Sequence, residues 1–354
     1  MTTRKIDIYN HVTPRPYAEL LAEMAPAASG MLKRNAAIPM LFDIDARVRM
    51  MDQWEGYQQV LTIANPPVES LVGPADSPAL VRLGNDELKK ICDGRPDKFP
   101  AWVASLPLNN VDASLEEMDR AIARGARGVQ VFTNIAGRAL DNPEFFPIFE
   151  RATEHHKVPI WMHPARDAKR ADYLDEDVSQ YEIWQVLGWP FETSVAMARM
   201  VFSGLFDKLP DLRIVTHHLG AMIPYFEGRV GPLWDQIGTR TVGEAGERYK
   251  QIKADMAAKG RRPVDYFKMF HNDTAVGGSA SAIRCGLDFF GVDKVLFASD
   301  CPFDPEGGPM FIRETIRALD AMPLSAADRH QIYCGNALCL LGLDGHDHAH
   351  DAAE

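Results

Sequence analysis

The stretch "IDIYNHVTP", Ile6 to Pro14, carries three groups with chemical potential on alternate residues: Asp7, Tyr9 and His11. Alternate residues of a strand point to the same side, so a strand end of this kind offers two ligands to a metal ion. The inner position here holds a phenol, whose ordinary pKa of about 10 makes it a poor ligand at pH 7. We expect the Tyr9 hydroxyl to lie beside a metal ion as a hydrogen-bond donor to substrate or water. The alternative is that Tyr9 fills a metal-free pocket.

Three further apolar runs end in residues of similar chemistry, each followed closely by a turn-forming residue. They end in His163 before Pro164, in His217 and His218 before Gly220, and in Asp300 before Pro302. Neutral imidazole and carboxylate are the ligand set of a divalent ion such as Zn²⁺ or Mn²⁺. The sequence therefore predicts one divalent metal site, with Zn²⁺ preferred and Mn²⁺ as the alternative.

Eight short β-rich runs, each followed by a stretch of helical spacing, must position these residues. The runs are "KIDIYNH", "YQQVLTIA", "FPAWVASLPL", "RGVQVFT", "VPIWMH", "LRIVTH", "YFKMFHND" and "KVLFASD". Several are almost continuously apolar, which is typical of parallel strands buried on both faces. The pattern predicts a (β/α)8 barrel; a doubly wound sheet is the rival fold, but it would not need eight strands. Barrel active sites lie at the carboxyl ends of the strands, so the four strand ends should converge.

The predicted domain organisation is one barrel over residues 1–343, followed by a disordered tail at 344–354. Three segments interrupt the regular alternation and are predicted as insertions: 14–43, 164–190 and 233–263. Long insertions in a barrel form lids, substrate walls or subunit contacts.

The composition limits the partners of the chain. It has 38 basic and 49 acidic residues, a net charge of −11, which argues against nucleic acid or an anionic membrane as a partner. No apolar run reaches the ~20 residues of a membrane helix, and the first residues resemble no signal peptide. Five widely spaced cysteines without a C-x-x-C pair indicate mostly buried thiols and no disulfide framework. We expect a cytoplasmic protein.

Four segments together resemble one known family. "IDIYNH", "WMHP", "GWPFETSVAMARMVFSGLFDKLPDLRIVTHHLG" and "VLFASDCPF" are similar to the amidohydrolase superfamily, in the branch of aminocarboxymuconate semialdehyde decarboxylase and γ-resorcylate decarboxylase. The resemblance spans nearly the whole chain. It implies a mononuclear metal held by position 9, His11, His163 and Asp300, with His218 as the catalytic acid and base and Asp300 as a second proton carrier. His217 is then the extra histidine, expected as an inward-packed or second-layer residue.

The resemblance also suggests residues for substrate binding. Arg229, eleven residues after His218, has the spacing of an arginine that in the semialdehyde decarboxylase reaches a neighbouring subunit's site and holds a substrate carboxylate. This implies a homodimer or a higher homo-oligomer. Arg47 is a weaker candidate of the same kind, and Trp189 is a candidate for an aromatic wall.

Three positions bear on the type of chemistry. Strand four ends "VQVFTN" without the lysine that bridges two metals in binuclear relatives, so one metal at most is expected. Position 9 is Tyr where the family normally has His or Glu, so we expect weaker metal binding than in those relatives. Position 221 is Ala where γ-resorcylate decarboxylases carry a glutamate, which argues against a salicylate-type mechanism.

The favoured function is metal-dependent, non-oxidative decarboxylation of a small aromatic or unsaturated carboxylic acid. Hydrolysis of an ester, lactone or amide is the first alternative, because the same residues could activate a water molecule. A metal-free barrel that binds a small ligand without turnover is the second.

Overall fold

The computed structural model describes residues 4–25 and 31–343 and confirms the (β/α)8 barrel. Eight parallel strands form its inner wall. In chain order they are β1 Lys5–Val12, β2 Tyr57–Ile63, β3 Ala101–Trp102, β4 Val129–Phe132, β5 Ile160–His163, β6 Ile214–Thr216, β7 His271–Asp273 and β8 Val295–Leu296. Seven of the eight residues of β1 are buried, as the apolar pattern of a strand covered on both faces predicts.

Backbone pairing closes the strands into a ring. One group pairs in the order β1-β2-β3 and another in the order β8-β7-β6-β5-β4, and a parallel bridge from Ala104 to Val129 joins them. On the other side, the segment after β8 pairs with β1: the Ile8 amide donates to the Phe297 carbonyl at 3.0 Å, and the Asp300 amide to the Tyr9 carbonyl at 3.0 Å. The strand ends that carry His11 and Asp300 are therefore adjacent, although the two residues are 289 positions apart in the sequence.

Helices surround the strands and bury their apolar faces against the outside of the barrel. In the part of the chain that the structure describes, no helix is long and apolar enough to cross a membrane. The α-helices are α1 Arg15–Met24, α2 Met31–Ala36, α3 Ile44–Met51, α4 Ser77–Gly94, α5 Val111–Ala123, α6 Phe146–Glu150, α7 Ile183–Val186, α8 Gly188–Phe202, α9 Leu205–Lys208, α10 Glu227–Trp234, α11 Gly243–Ala258, α12 Pro263–Phe267, α13 Ala280–Phe290, α14 Pro309–Ala321, α15 Ala326–His330 and α16 Asn336–Leu341.

The seventh strand is shorter than the sequence predicts. In the run "YFKMFHND" only His271–Asp273 is a strand, whereas Tyr266 and Phe267 belong to α12. Pro263 occupies the first turn of this helix, where a missing N–H costs nothing, and Tyr266 and Phe267 are buried on its inner face. An apolar pair next to a proline fits a short buried helix as well as a strand, so the pattern alone did not separate them.

The segments predicted as insertions contain the following elements in the part of the chain that the structure describes. Residues 14–43 contain α1 and α2, residues 164–190 contain a long connection with the short helix α7, and residues 233–263 contain α11. The predicted disordered tail, 344–354, lies outside the described residues. All five cysteines are free thiols, and Cys92, Cys301 and Cys334 are buried.

Candidate metal centre

Three histidines from three different strand ends converge at the carboxyl end of the barrel. One ring nitrogen each of His11, His163 and His217 lies within 4.8 Å of the others. All three residues are at most 2% exposed. Asp300 joins them, with its Oδ1 3.3 Å from Nε2 of His11 and 3.3 Å from Nε2 of His217. The strand order thus brings together the four strand ends that the sequence singled out.

In each of the three histidines, Nδ1 is held by a hydrogen-bond acceptor. The other ring nitrogen, Nε2, is left to face the cluster. The Nδ1 of His163 donates to the carbonyl of Pro164 at 2.7 Å, and the Nδ1 of His217 donates to the Asp273 carboxylate. The Nδ1 of His11 lies 3.0 Å from the hydroxyl of Thr62, which itself donates to a carbonyl and so accepts from the imidazole. Acceptors at Nδ1 of this kind orient imidazoles that ligate metals through Nε2.

Donor chemistry and spacing both fit a divalent ion. In a tetrahedral site with bonds of about 2.0–2.1 Å, adjacent ligand atoms are separated by about 3.3 Å. The distances from Asp300 Oδ1 to Nε2 of His11 and of His217 match that separation. The Nε2 of His11 is also buried without a hydrogen-bond partner, which is costly unless another group satisfies it. The residues present therefore fit a bound metal.

The electrostatics of the cluster favour a cation. Burial lowers the pKa of His11 and, more strongly, that of His163, so both imidazoles are neutral at pH 7. Burial raises the pKa of the Asp300 carboxyl, but the neighbouring imidazoles of His11, His217 and His218 outweigh it and hold that pKa well below its usual value. Burial likewise opposes a charge on His217, yet Asp273 and Asp300 outweigh it and raise its pKa to about 9. Asp273 and Asp300 therefore stabilise a positive charge at the position of His217.

His218 faces the cluster from its solvent side. Its Nε2 lies 3.9 Å from Oδ2 of Asp300, and its side chain is 20% exposed. The backbone at His218 has φ +62° and that at Asp300 has φ +65°, a left-handed conformation that is strained for residues other than glycine. Such conformations are retained where they aim a side chain, and here they turn both residues toward the same space.

Tyr9 lies beneath the cluster and is fully buried. Its ring stacks on that of His217 with centroids 4.0 Å apart and an angle of 19° between the planes. Its hydroxyl has no hydrogen-bond partner. Burial, reinforced by Asp273 and Asp300, raises the pKa of Tyr9 well above its usual value. The phenol is therefore neutral at pH 7.

A cavity of about 550 Å³ opens above these residues. Asp300, His163 and His218 lie at its floor, and aromatic side chains form much of its wall. The predicted wall residue Trp189 is among them, 5.6 Å from the ring of His163 and roughly perpendicular to it. The other lining residues are Arg34, Asn65, Glu182, Gln185, Val186, Pro190, Ala221, Ala275, Val276, Gly277, Phe303 and Phe311.

The structure places the two candidate arginines elsewhere. Arg47 is fully buried, and its guanidinium donates to the side chain of Gln59 and to the carbonyls of His11, Met40 and Cys301. This geometry argues against contact between Arg47 and a substrate, because its donors are taken by protein groups. Arg229 is exposed and lines a separate apolar cavity of about 370 Å³ between α8 and α10. Within one chain, Arg229 does not line the cavity above the histidines.

Two residues of the site were not found from the sequence. Asp273 closes β7 and orients His217, and a carboxylate at the end of the run "FHND" was the sign that could have identified it. Arg34, on α2 in the first insertion, is the one arginine or lysine among the described lining residues of the larger cavity. No local pattern distinguishes it from the other surface arginines. His217 itself was expected as a packed residue, and the structure places it inside the cluster.

Comparison with known proteins supports the family resemblance of the sequence motifs. A 2-amino-3-carboxymuconate-6-semialdehyde decarboxylase from Dictyostelium discoideum is 25% identical over 360 residues, which cover 96% of this chain and 92% of the relative. A γ-resorcylate decarboxylase from Rhodococcus jostii (strain RHA1) is 32% identical over 322 residues, 86% of this chain and 89% of the relative. These are the two enzyme types that the sequence motifs resemble.

Solved structures agree on the fold. The dihydroxybenzoic acid decarboxylase of Polaromonas sp. JS666, determined with bound manganese and the inhibitor 2-nitroresorcinol, superposes with a TM-score of 0.73 at 23% identity. The match covers 97% of this chain and 98% of that one. The amidohydrolase family profile matches residues 64–343, which contain six of the eight barrel strands, β3 to β8. The chain therefore belongs to the amidohydrolase family.

Proposed function

We propose that this protein is a metal-dependent, non-oxidative decarboxylase of a small aromatic carboxylic acid. The observation that carries the proposal is the position of the His/Asp cluster at the floor of an aromatic-walled cavity, with His218 at its open side. The relatives reported above are decarboxylases of an unsaturated and of an aromatic acid, and they span nearly the same length of chain. Family and site thus support the same reaction class.

His11, His163 and Asp300 would hold the metal: His11 and His163 belong to one group of ring nitrogens within 4.8 Å of one another, and Asp300 Oδ1 lies 3.3 Å from Nε2 of His11. A divalent ion held by these residues would supply electrostatic stabilisation of negative charge on a substrate oxygen. We propose Zn²⁺ or Mn²⁺. Imidazole and carboxylate suit both ions, and a neighbour of the same fold contains manganese.

The chain's own residues would handle the proton. During decarboxylation the bond between the ring carbon and the carboxyl carbon breaks, its electron pair stays on the ring carbon, and CO₂ leaves. That carbon then takes a proton from the imidazolium form of His218, which regains one from solvent through its exposed edge. Burial and the charge on His217 lower the pKa of His218, whereas Asp300, 3.9 Å away, opposes that shift and is the second group able to carry a proton. The Tyr9 hydroxyl, which lacks a protein partner, is proposed as a donor to substrate or water.

The cavity wall suits an aromatic acid. Trp189, Phe303 and Phe311 offer ring surfaces for offset or edge contacts with a substrate ring. The guanidinium of Arg34 lies 5.6 Å over the ring of Phe303 and supplies a planar donor group for a carboxylate. In place of Arg47, we propose Arg34 as the substrate's carboxylate partner within the chain. Ala221 adds no charge to the wall, so proton transfer falls to His218.

The proposal also concerns the oligomeric state of the protein and its cellular compartment. The apolar cavity beside Arg229 lies on the outer surface, lined by Phe191, Val195 and Trp234 among others. We propose that this face contacts a second copy of the chain, so that Arg229 completes the partner's site in a homodimer or higher homo-oligomer. The five free thiols support a reducing compartment, and we propose the cytoplasm.

The decisive experiment follows products of the metal-loaded enzyme. Mn²⁺-loaded and Zn²⁺-loaded protein is incubated with hydroxybenzoic acids and, in parallel, with aryl esters, lactones and amides. The expected result is CO₂ and the decarboxylated ring compound in equal amounts, lost in the metal-depleted protein. Turnover of an ester or amide without CO₂ release would establish a hydrolase, and binding without turnover in either set would establish a ligand-binding barrel.

A further inference from the structure

The third histidine of the cluster, His217, follows the sixth strand, whereas the family resemblance places the corresponding ligand on the first strand. At the end of β1 the chain offers His11 but, two residues before it, Tyr9 in the place of a second ligand. The neighbouring nitrogen that completes the group of three belongs to His217, directly after β6. Since Tyr9 stacks flat against His217, the ring of the histidine occupies the space above the ring face of the phenol.

The surroundings of His217 are those of a ligand rather than of a packed residue. Its Nδ1 donates to Oδ2 of Asp273, whose other oxygen accepts the amides of His218 at 3.0 Å and of Ala275 at 2.9 Å. The carboxylate is therefore held by two backbone groups and in turn fixes the imidazole. This carboxylate–histidine arrangement directs Nε2 toward the cluster, where it meets Asp300 Oδ1 at 3.3 Å.

We propose that His217 is a metal ligand in this protein and replaces the strand-one ligand that Tyr9 does not provide. The ligand set is then His11, His163, His217 and Asp300, with Asp273 as the positioning residue of His217. Tyr9 forms the floor under this ring, and His218, one residue further, remains free for proton transfer. The inference rests on the metal dependence in the proposed function and changes which residues supply it.

The geometry separates His217 from its neighbour His218. His217 Nε2 and His11 Nε2 lie at the same distance, 3.3 Å, from the same oxygen of Asp300, so the three atoms can share one ion. His218 Nε2 lies 3.9 Å from the other oxygen, and its side chain reaches solvent. Consecutive histidines therefore have different roles: the first binds the metal and the second faces the substrate.

The test measures metal affinity instead of turnover. Metal-depleted full-length protein is titrated with Mn²⁺ and with Zn²⁺ by calorimetry, and bound metal is counted by elemental analysis. His217→Ala is expected to weaken binding by more than about 100-fold, and Asp273→Asn by about 10- to 100-fold. His218→Asn is the matched control at the adjacent position and is expected to bind within about threefold of the original protein. Tyr9→Phe should do the same, because its hydroxyl is not a ligand.

A measurement on the unsubstituted protein guards against misfolded variants. Pulsed electron paramagnetic resonance of the Mn²⁺-loaded protein detects directly bound imidazole nitrogens, and three are expected. Two nitrogens, or unchanged affinity in His217→Ala, would overturn the inference while leaving the proposed function intact. Loss of metal in Tyr9→Phe would also overturn it, because the phenol would then be the ligand. Absence of metal binding by the unsubstituted protein would instead overturn both proposals.

Discussion

Two carboxylates, one on the first strand of the barrel and one shortly after the neighbouring eighth strand, have opposite surroundings. Asp7 is enclosed by protein donors: the hydroxyl of Tyr57 at 2.5 Å, the hydroxyl of Ser299, and the amides of Tyr9 and Ser299. Asp300, the next residue after Ser299, faces imidazole rings and a cavity. The lone pairs of Asp7 are satisfied by protein donors, whereas the oxygens of Asp300 face imidazole nitrogens and the open cavity.

The network around Asp7 continues to the backbone that carries the cluster. Gln59 donates to the Tyr57 hydroxyl at 2.9 Å, and Arg47 donates to Gln59 at 2.7 Å. Arg47 also donates to the carbonyls of His11 and Cys301, which flank the cluster on two strands. We refer to Asp7, Tyr57, Gln59, Arg47 and Ser299 as the Asp7 network. It fixes the strand ends, and the cluster above it is left open for chemistry.

The two carboxylates have the same chemistry but differ in how many of their hydrogen bonds are made by protein groups. A buried polar group whose hydrogen bonds are all made by protein stabilises the fold, and removing one partner costs free energy of unfolding. A buried polar group left open costs stability and is retained for binding or catalysis. The expected signatures differ: changes in the Asp7 network alter stability, and changes in the cluster alter metal binding and turnover.

The largest effect is expected from the ligands common to both proposals. Asp300→Ala and His163→Ala should weaken metal binding by more than about 100-fold and abolish CO₂ release, because each removes a donor that protein groups do not replace. Calorimetric titration with Mn²⁺ and a CO₂ assay measure the two losses. His330→Ala, an exposed histidine outside the metal-capable groups, is the control and should match the original protein. Full metal occupancy in Asp300→Ala would place the metal elsewhere.

His218→Asn should lower turnover without loss of metal binding. The variant keeps the ligands and is expected to retain one metal per chain, but kcat should fall by about 10²- to 10⁴-fold because the proton donor is lost. Steady-state kinetics at matched metal content measure this. A kcat within tenfold of the original value would remove His218 from the mechanism.

Arg47→Met tests the Asp7 network as a structural element. It removes the Arg47 donor from the carbonyls of His11 and Cys301, of which Cys301 keeps the His11 amide, and it leaves Gln59 without its guanidinium partner, so the free energy of unfolding should fall by about 2–5 kcal/mol. Urea unfolding of metal-depleted protein measures the loss, because a bound metal would add its own stabilisation. Arg49→Met, two residues along the same helix and exposed, is the control and should change stability by less than about 0.5 kcal/mol. If Arg47→Met is as stable as the control but loses substrate affinity, the original sequence-based prediction of a substrate contact is restored.

The sequence predicted the barrel and the convergence of its strand ends because both follow from local patterns. Buried runs at regular intervals indicate the strands, and His11, His163 and Asp300 follow those runs directly. The difference between Arg47 and Arg34 was not predictable in this way. Arg47 is enclosed because α3 packs against a segment distant in sequence, where its guanidinium reaches the Cys301 carbonyl 254 positions away, whereas Arg34 on α2 lines a cavity together with Phe303. The role of His217 similarly depends on Asp273, 56 positions away, whose carboxylate fixes the ring.

The smallest effect is expected from Tyr57→Phe, which removes one donor to Asp7. Burial raises the pKa of Asp7 from 3.8 to about 6, although hydrogen bonds from Ser299 and Tyr57 oppose the shift. Because the folded state holds this proton to higher pH than the unfolded state, the free energy of unfolding should fall as pH rises from about 4 to about 6. The Tyr57 hydroxyl is a better partner for the ionised form than for the neutral form. Its removal should therefore cost about 1.5–3 kcal/mol at pH 8 and about 0.5–1.5 kcal/mol at pH 4.5.

Urea unfolding of metal-depleted protein at the two pH values measures this difference, with the exposed Tyr225→Phe as control. Metal affinity at pH 8 should stay within about threefold of the original value, since Tyr57 contributes no atom to the cluster. A cost for Tyr57→Phe that is equal at both pH values would mean that Asp7 does not change its charge between them. A large loss of metal affinity without loss of stability would show that the Asp7 network and the cluster act as one unit, contrary to the distinction drawn between the two carboxylates.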